Sequence, residues 1–142
     1  EGPVRTNFDD LNTYEVTRQG SKVAVLALGD FYDLGEKTVE ALSSTLGIEA
    51  TLVKPYFASG VDQNLLDNLV KDHDVIVTIE DGIIEGGWGQ NIASYLGTSS
   101  ARVLNYGVKK AFYDRVNIAE LMRESHLEPE LIAADVKQVL GL

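Results

Sequence analysis

The chain has 142 residues, enough for one domain with a core of ordinary size. Its 12 basic and 22 acidic side chains leave a net charge of −10, which argues against nucleic acid or an anionic membrane surface as a partner. It has no cysteine, hence no disulfide framework, thiolate nucleophile or sulfur-bound metal, and no apolar run approaches the ~20 residues of a membrane span.

Residues 1–13 are polar, without a sustained period, and read as a linker or arm from a preceding domain; the domain proper is expected over 14–142. The opening on Glu1 rather than an initiator methionine is read as the continuation of a longer chain. Tyr14 to Arg18 alternates as a strand does, and Gln19-Gly20-Ser21 turns the chain. Lys22 to Leu28 is a continuous apolar run, so a central strand, ending at Gly29-Asp30. Val39, Leu42 and Leu46 share one helical face, widened by Ala41, and Gly47 stops that helix. Ile48 to Val53 is the next strand, closed by Lys54-Pro55, because proline has no N–H to give a ladder. Asp62 is placed to cap a helix whose apolar stripe is Leu65, Leu66, Leu69 and Val70.

Residues 74–79 form a second buried strand. It leads into Glu80-Asp81, then Gly86-Gly87-Trp88-Gly89, and a short helix over Asn91 to Leu96. Arg102 to Gly107 is a further strand. Asn117 with Glu120 three residues on has the form of a capping box before Ile118, Leu121 and Met122. Pro129 falls in the first turn of the last helix, where its missing N–H costs nothing, and that helix buries Leu131, Ile132, Val136, Val139 and Leu140. Strands alternating with helices predict an α/β fold, a three-layer α/β/α arrangement with a mostly parallel mixed sheet. The three residues after Arg18 are too few for a crossover, so the first strand is expected to run antiparallel, paired with the second.

Acidic strand end, glycine turn and helix suggest function at the carboxyl edge of a parallel sheet. Gly86-Gly87-Trp88-Gly89 matches neither GxGxxG nor GxxxxGK[ST], and Glu80, Asp81 and Glu85 beside it repel phosphate. The glycines read better as a place where another backbone comes close, with a neighbouring domain or subunit as the functional version and Trp88 as a contact. Glu80 and Asp81 are adjacent on a strand and point to opposite faces, so they do not converge as an acid/base pair; a buried carboxylate capping nearby amides is the commoner arrangement. His73 and His126 lack zinc-ligand spacing, and no GxSxG elbow is present. Tyr56, Phe57, Phe112 and Tyr113 are not interleaved with a basic patch, and Lys109-Lys110 reads as a solvated pair. The residues alone give no catalytic constellation.

The order Ala50-Thr51-Leu52-Val53-Lys54-Pro55, Val61-Asp62, His73-Asp74, Val77-Thr78-Ile79-Glu80-Asp81 and Gly86-Gly87-Trp88-Gly89 resembles the C-terminal domain of transketolase-like thiamine enzymes. It is most similar to the 1-deoxy-D-xylulose-5-phosphate synthases, with their HxxxVTxE(E/D)…GGxG passage. The resemblance runs from about Tyr14 to Leu140. It implies a dimeric, cytoplasmic transferase that joins pyruvate and glyceraldehyde 3-phosphate with loss of CO2. It further implies that thiamine diphosphate and Mg2+ are bound by upstream domains, so that this piece alone binds no cofactor or metal and is inactive. The domain then serves assembly and supports the site from outside. Its implied partners are the upstream domains and a second subunit, and its interface candidates are Glu80, Asp81, Gly86, Gly87, Trp88 and Gly89. Lys54 matches the family's lysine and is the candidate for the substrate entrance, its other reading being a solvated strand-end charge. Thr51 stands where the synthases usually carry arginine and has no bidentate cation to offer. The end domain of a transketolase or of a 2-oxo-acid dehydrogenase β chain, and a free-standing protein-interaction module, remain alternatives.

Overall fold

The computed structural model describes residues 13–55, 61–83, 86–108 and 125–142. The arm over 1–12, the Asn117–Glu120 capping box, Lys109-Lys110 and the aromatics at 56, 57, 112 and 113 lie outside these residues. In chain order come β1 (Glu15–Arg18), β2 (Lys22–Ala27), a 3-10 turn (Gly29–Phe31), α1 (Tyr32–Leu46), β3 (Thr51–Lys54), α2 (Gln63–Leu69), β4 (His73–Ile83), α3 (Trp88–Tyr95), β5 (Arg102–Val108) and α4 (Pro129–Leu140).

The five strands form one sheet in the order β1-β3-β2-β4-β5. β2 is parallel to β3 and β4, and β4 to β5. The expected sense of β1 holds, but its partner differs: β1 pairs antiparallel with β3 rather than with β2. The turn at residues 19–21 therefore crosses the amino end of β3. Ser21 N–H donates to the Glu49 carbonyl at 3.0 Å, and Gly20 N–H to Thr51 Oγ1 at 2.9 Å. A Cβ on Gly20 would lie 2.0 Å from Glu49 O, so only glycine permits this crossing. Three residues span about 10 Å, which is two strand spacings, so the turn is long enough to skip a strand.

Side chains alternate across the sheet and divide the core in two. Val23, Val25 and Ala27 of β2 and Val75, Val77 and Ile79 of β4 face α1 and α4, meeting Val39, Leu42, Ile132 and Val136. Ala24, Leu26 and Ile76 face α2 and α3, meeting Leu66, Leu69, Trp88 and Ile92. These are the three expected layers. Helices of seven and eight residues, as α2 and α3 are, fall below the about 12 needed for independent stability. Their existence rests on burial, at about 1.5–3 kcal/mol for each large apolar side chain.

Element ends differ from the sequence-based bounds for local reasons. α1 stops at Gly47, with φ 69°, and Ile48 N–H turns back to the Leu42 carbonyl at 3.2 Å, so Ile48 belongs to the helix stop rather than to β3. β4 runs four residues past Ile79, taking Glu80 and Asp81 into the strand. α3 begins at Trp88 instead of Asn91, because its first amides find an acceptor on β4.

Thr51 is fully buried at the amino end of β3. Its hydroxyl oxygen accepts Gly20 N–H and meets His73 Nε2 at 2.8 Å, while His73 Nδ1 reaches Leu69 O at 2.8 Å and Asp72 Oδ1 at 2.7 Å. A carbonyl only accepts, so Nδ1 carries a proton, and Nε2 pairs with the Thr51 hydroxyl. The threonine in the arginine position is thus a structural tie between strands. It sits at the sheet edge opposite Lys54.

Candidate functional site

At the carboxyl edge the chain crosses from one helix layer to the other. α1 leaves β2 toward one face and α2 leaves β3 toward the other, which puts the switch point beside β2. Lys54 ends β3 at this edge and is exposed. Its ammonium lies 5.3 Å from the ring centre of Tyr32, the first residue of α1.

Glu80 follows Ile76 and Thr78 on the α2/α3 side of β4 by the two-residue alternation of a strand. It is only 4% exposed, and both carboxylate oxygens are used: Oε1 accepts Trp88 N–H at 3.2 Å and Oε2 accepts Gly89 N–H at 2.8 Å. These are two of the amides that a helix start leaves unpaired, and a carboxylate also complements the positive end of the helix dipole. Gly87, the residue ahead of α3, makes no side-chain cap, so the cap is supplied from eight and nine residues upstream in the sequence.

Gly89 makes this approach sterically feasible. A Cβ there would fall 2.5 Å from Thr78 Oγ1, 2.8 Å from Asn105 Oδ1 and 2.9 Å from Glu80 Oε2. The close neighbours are therefore side chains of this chain's own β4 and β5, tied to one another by the Thr78 hydroxyl donating to Asn105 at 2.6 Å. Gly86 lies at the surface, with its N–H on Gln90 Oε1 at 2.8 Å, and Gly87 is half-buried. The side chain of Asp81 lies outside the described residues.

Trp88, offered by the sequence to a neighbour, turns its ring inward and is 3% exposed. Its Nε1–H donates to the Tyr14 hydroxyl oxygen at 3.1 Å, and the two rings meet edge to face with centroids 6.3 Å apart. Burial raises the Tyr14 pKa above its ordinary value, so the phenol stays protonated. Tyr14 N–H donates to Asp62 Oδ2 at 2.9 Å, while Asp62 Oδ1 caps α2 through Leu65 N–H at 3.1 Å. Tyr14, Asp62 and Trp88 thus clasp the entry of the chain to the starts of two helices. Sequence reading found the Asp62 cap. It missed the clasp, because Tyr14 and Trp88 are 74 residues apart and no local pattern joins them.

The arrangement does not fit a thiamine diphosphate site at this turn. The α3 amides that a diphosphate would take are already on Glu80, and a second anion would face its carboxylate. Among the described residues, no group of three or more His, Asp or Glu side chains is disposed to hold a metal ion. Among the same residues, no helix is long and apolar enough to cross a membrane.

A family model described as "Transketolase, C-terminal domain" matches residues 12–132. A 1-deoxy-D-xylulose-5-phosphate synthase of Pseudoalteromonas translucida is 35% identical over 97% of this chain, and one of Pseudomonas fluorescens 32% identical over 99%. The chain spans 22% of the length of each of these relatives. Among solved structures, one described as a split gene transketolase, an inactive beta4 tetramer, superposes with a TM-score of 0.81 at 24% identity, covering 98% of this chain and 45% of that one. A Pichia stipitis transketolase matches with a TM-score of 0.55 at 17% identity, covering 89% and 18%. These two structures speak for the fold alone.

Proposed function

The chain belongs to the transketolase C-terminal domain family, and from that premise we propose that it is the end domain of a 1-deoxy-D-xylulose-5-phosphate synthase. The intact enzyme joins pyruvate and glyceraldehyde 3-phosphate with loss of CO2, as a cytoplasmic homodimer that uses thiamine diphosphate and Mg2+. The observation that carries this reading is the likeness to proteins of that name along nearly all of this chain, yet along only about a fifth of theirs. In this proposal residues 1–13 are the arm from the preceding domain and 14–142 the supporting domain. The closed α3 start supports the division of labour: the glycine turn serves the domain's own architecture and leaves the cofactor to the upstream domains.

The interface role then falls to the outward part of the turn. Gly86 and Gly87 offer backbone to a neighbouring domain, while Glu80, Trp88 and Gly89 hold that backbone in place from beneath. Lys54, at the carboxyl edge, is the residue proposed to face the substrate entrance. Light scattering on residues 1–142 mixed with the upstream domains is the test. A stoichiometric complex is expected, and a domain that stays strictly monomeric without affinity for them would count against the assembly role.

A further inference from the structure

The chain enters the domain at the carboxyl edge, because β1 runs antiparallel to β3 and its first residue, Glu15, stands opposite Lys54 at the end of β3. β1 itself is exposed at all four positions, and the buried anchor of this entry is Tyr14, the residue just ahead of it. In the sheet β3 and β2 lie between β1 and β4, so three strand spacings, about 14 Å, separate the outer two. The Tyr14 and Trp88 rings close that distance from opposite sides. They meet edge to face in one buried cluster with Val53 of β3 and Leu26 of β2. Tyr14 thereby holds two helix starts at once. Its N–H is on Asp62, whose other oxygen caps α2, and its hydroxyl oxygen takes the Nε1–H of Trp88, the first residue of α3.

We propose that Tyr14 is the bolt of a conformational latch: when it leaves its seat, the start of α2 and the glycine turn ahead of α3 loosen together. The physical reason is how much is lost in one movement. Trp88 Nε1–H becomes a buried donor without its acceptor, Asp62 Oδ2 loses an amide, and the ring contact goes with them. Neither helix can absorb that loss alone, since α2 has seven residues, α3 has eight, and both depend on burial. The α1/α4 face of the sheet has its own core cluster, to which Tyr14 and Trp88 do not belong, and keeps its packing. The result is one opening unit made of β1 and two helix starts, lying below global unfolding in free energy. A displacement of the chain at residue 13 is thus felt at Gly86 and Gly87, and the coupling needs no ligand or neighbouring domain.

Amide hydrogen exchange on residues 1–142 tests the latch, with Val25 of the central strand β2 as the marker of global unfolding. Leu65 N–H bonds to Asp62 rather than to Glu80. Even so, Glu80→Ala, which frees the α3 start, is expected to raise exchange at Leu65 about tenfold, an ordinary coupling between two sites. By reciprocity Asp62→Asn, left with one carbonyl oxygen for two donors, should raise exchange at Gly89 by a similar factor. Tyr14→Phe keeps the ring but not the acceptor of Trp88 Nε1–H, and should raise exchange at both places about tenfold. Tyr14→Ala removes the link, so in that background Glu80→Ala should leave Leu65 unchanged. Should Tyr14→Ala not fold, Tyr14→Leu breaks the same bond and fills more of the site. The Tyr95 hydroxyl also ties α3 to α2, donating to Asp67 Oδ1 at 2.9 Å. A Leu65 that still answers Glu80→Ala without Tyr14 would assign the coupling to that contact and overturn the latch. So would an unchanged Leu65 in Glu80→Ala with Tyr14 present, or a Leu65 that in the parent opens only as slowly as Val25.

Discussion

Gly89→Ala is expected to destabilise the domain by about 3 kcal/mol and to lower its Tm by roughly 10 °C. The direction is not obvious from helix propensity. Gly89 lies in the first turn of α3, and replacing a helical glycine by alanine ordinarily gains up to about 1 kcal/mol. Here the new methyl would sit under 3.0 Å from Thr78 Oγ1, Asn105 Oδ1 and Glu80 Oε2. Overpacking a buried site costs about 1–3 kcal/mol, and moving these atoms also breaks bonds worth about 1 kcal/mol each, so sterics outweigh propensity. Thermal melting of the variant decides the matter. An unchanged or raised Tm would mean that the polar cluster under α3 is looser than its geometry shows.

The second large effect belongs to Glu80. Glu80→Ala removes the acceptor of both Trp88 N–H and Gly89 N–H, and with it the charge at the helix start. Hydrogen bonds to charged groups contribute about 1.5–3 kcal/mol each, and a buried donor left alone adds its own desolvation cost. A loss of about 3–4 kcal/mol is expected in denaturant melts, with amide exchange rising first at Trp88 and Gly89. Glu80→Gln keeps one carbonyl acceptor and should lose about half as much. Equal exchange rates at Trp88 and Gly89 in the parent and in Glu80→Ala would remove Glu80 as the cap.

The legible parts of this chain are those whose signal is local. The apolar runs at 22–28 and 74–79, the Asp62 cap, the Gly47 stop and Pro129 near the start of the last helix each follow from neighbouring residues, and the structure has an element at each place. The pairing of β1 escaped because a three-residue turn looks like a hairpin. Only the contact of Gly20 with the Glu49 carbonyl, 29 positions on in the chain, shows that the turn passes a strand. The start of α3 escaped for a similar reason, since its cap lies on another element. The spacing of Gly86, Gly87, Trp88 and Gly89 reads as a loop until Glu80 is brought against it.

The turn changes meaning accordingly. The capping role that the sequence analysis weighs for a strand-end carboxylate is the one Glu80 performs, and the glycine beside Trp88 admits a neighbour from the same chain. Trp88, the one tryptophan, reaches back to Tyr14, so the turn is coupled to the entry of the chain through the clasp with Asp62. No pattern within the chain points to an activity, and the proposed one rests on the family resemblance and on the likeness to named relatives.

Turnover tests that assignment most directly. With thiamine diphosphate, Mg2+, pyruvate and glyceraldehyde 3-phosphate supplied, residues 1–142 alone are expected to form no 1-deoxy-D-xylulose 5-phosphate, and the intact enzyme that contains them is expected to form it. Product from residues 1–142 alone, or none from the folded and assembled enzyme, would contradict the account.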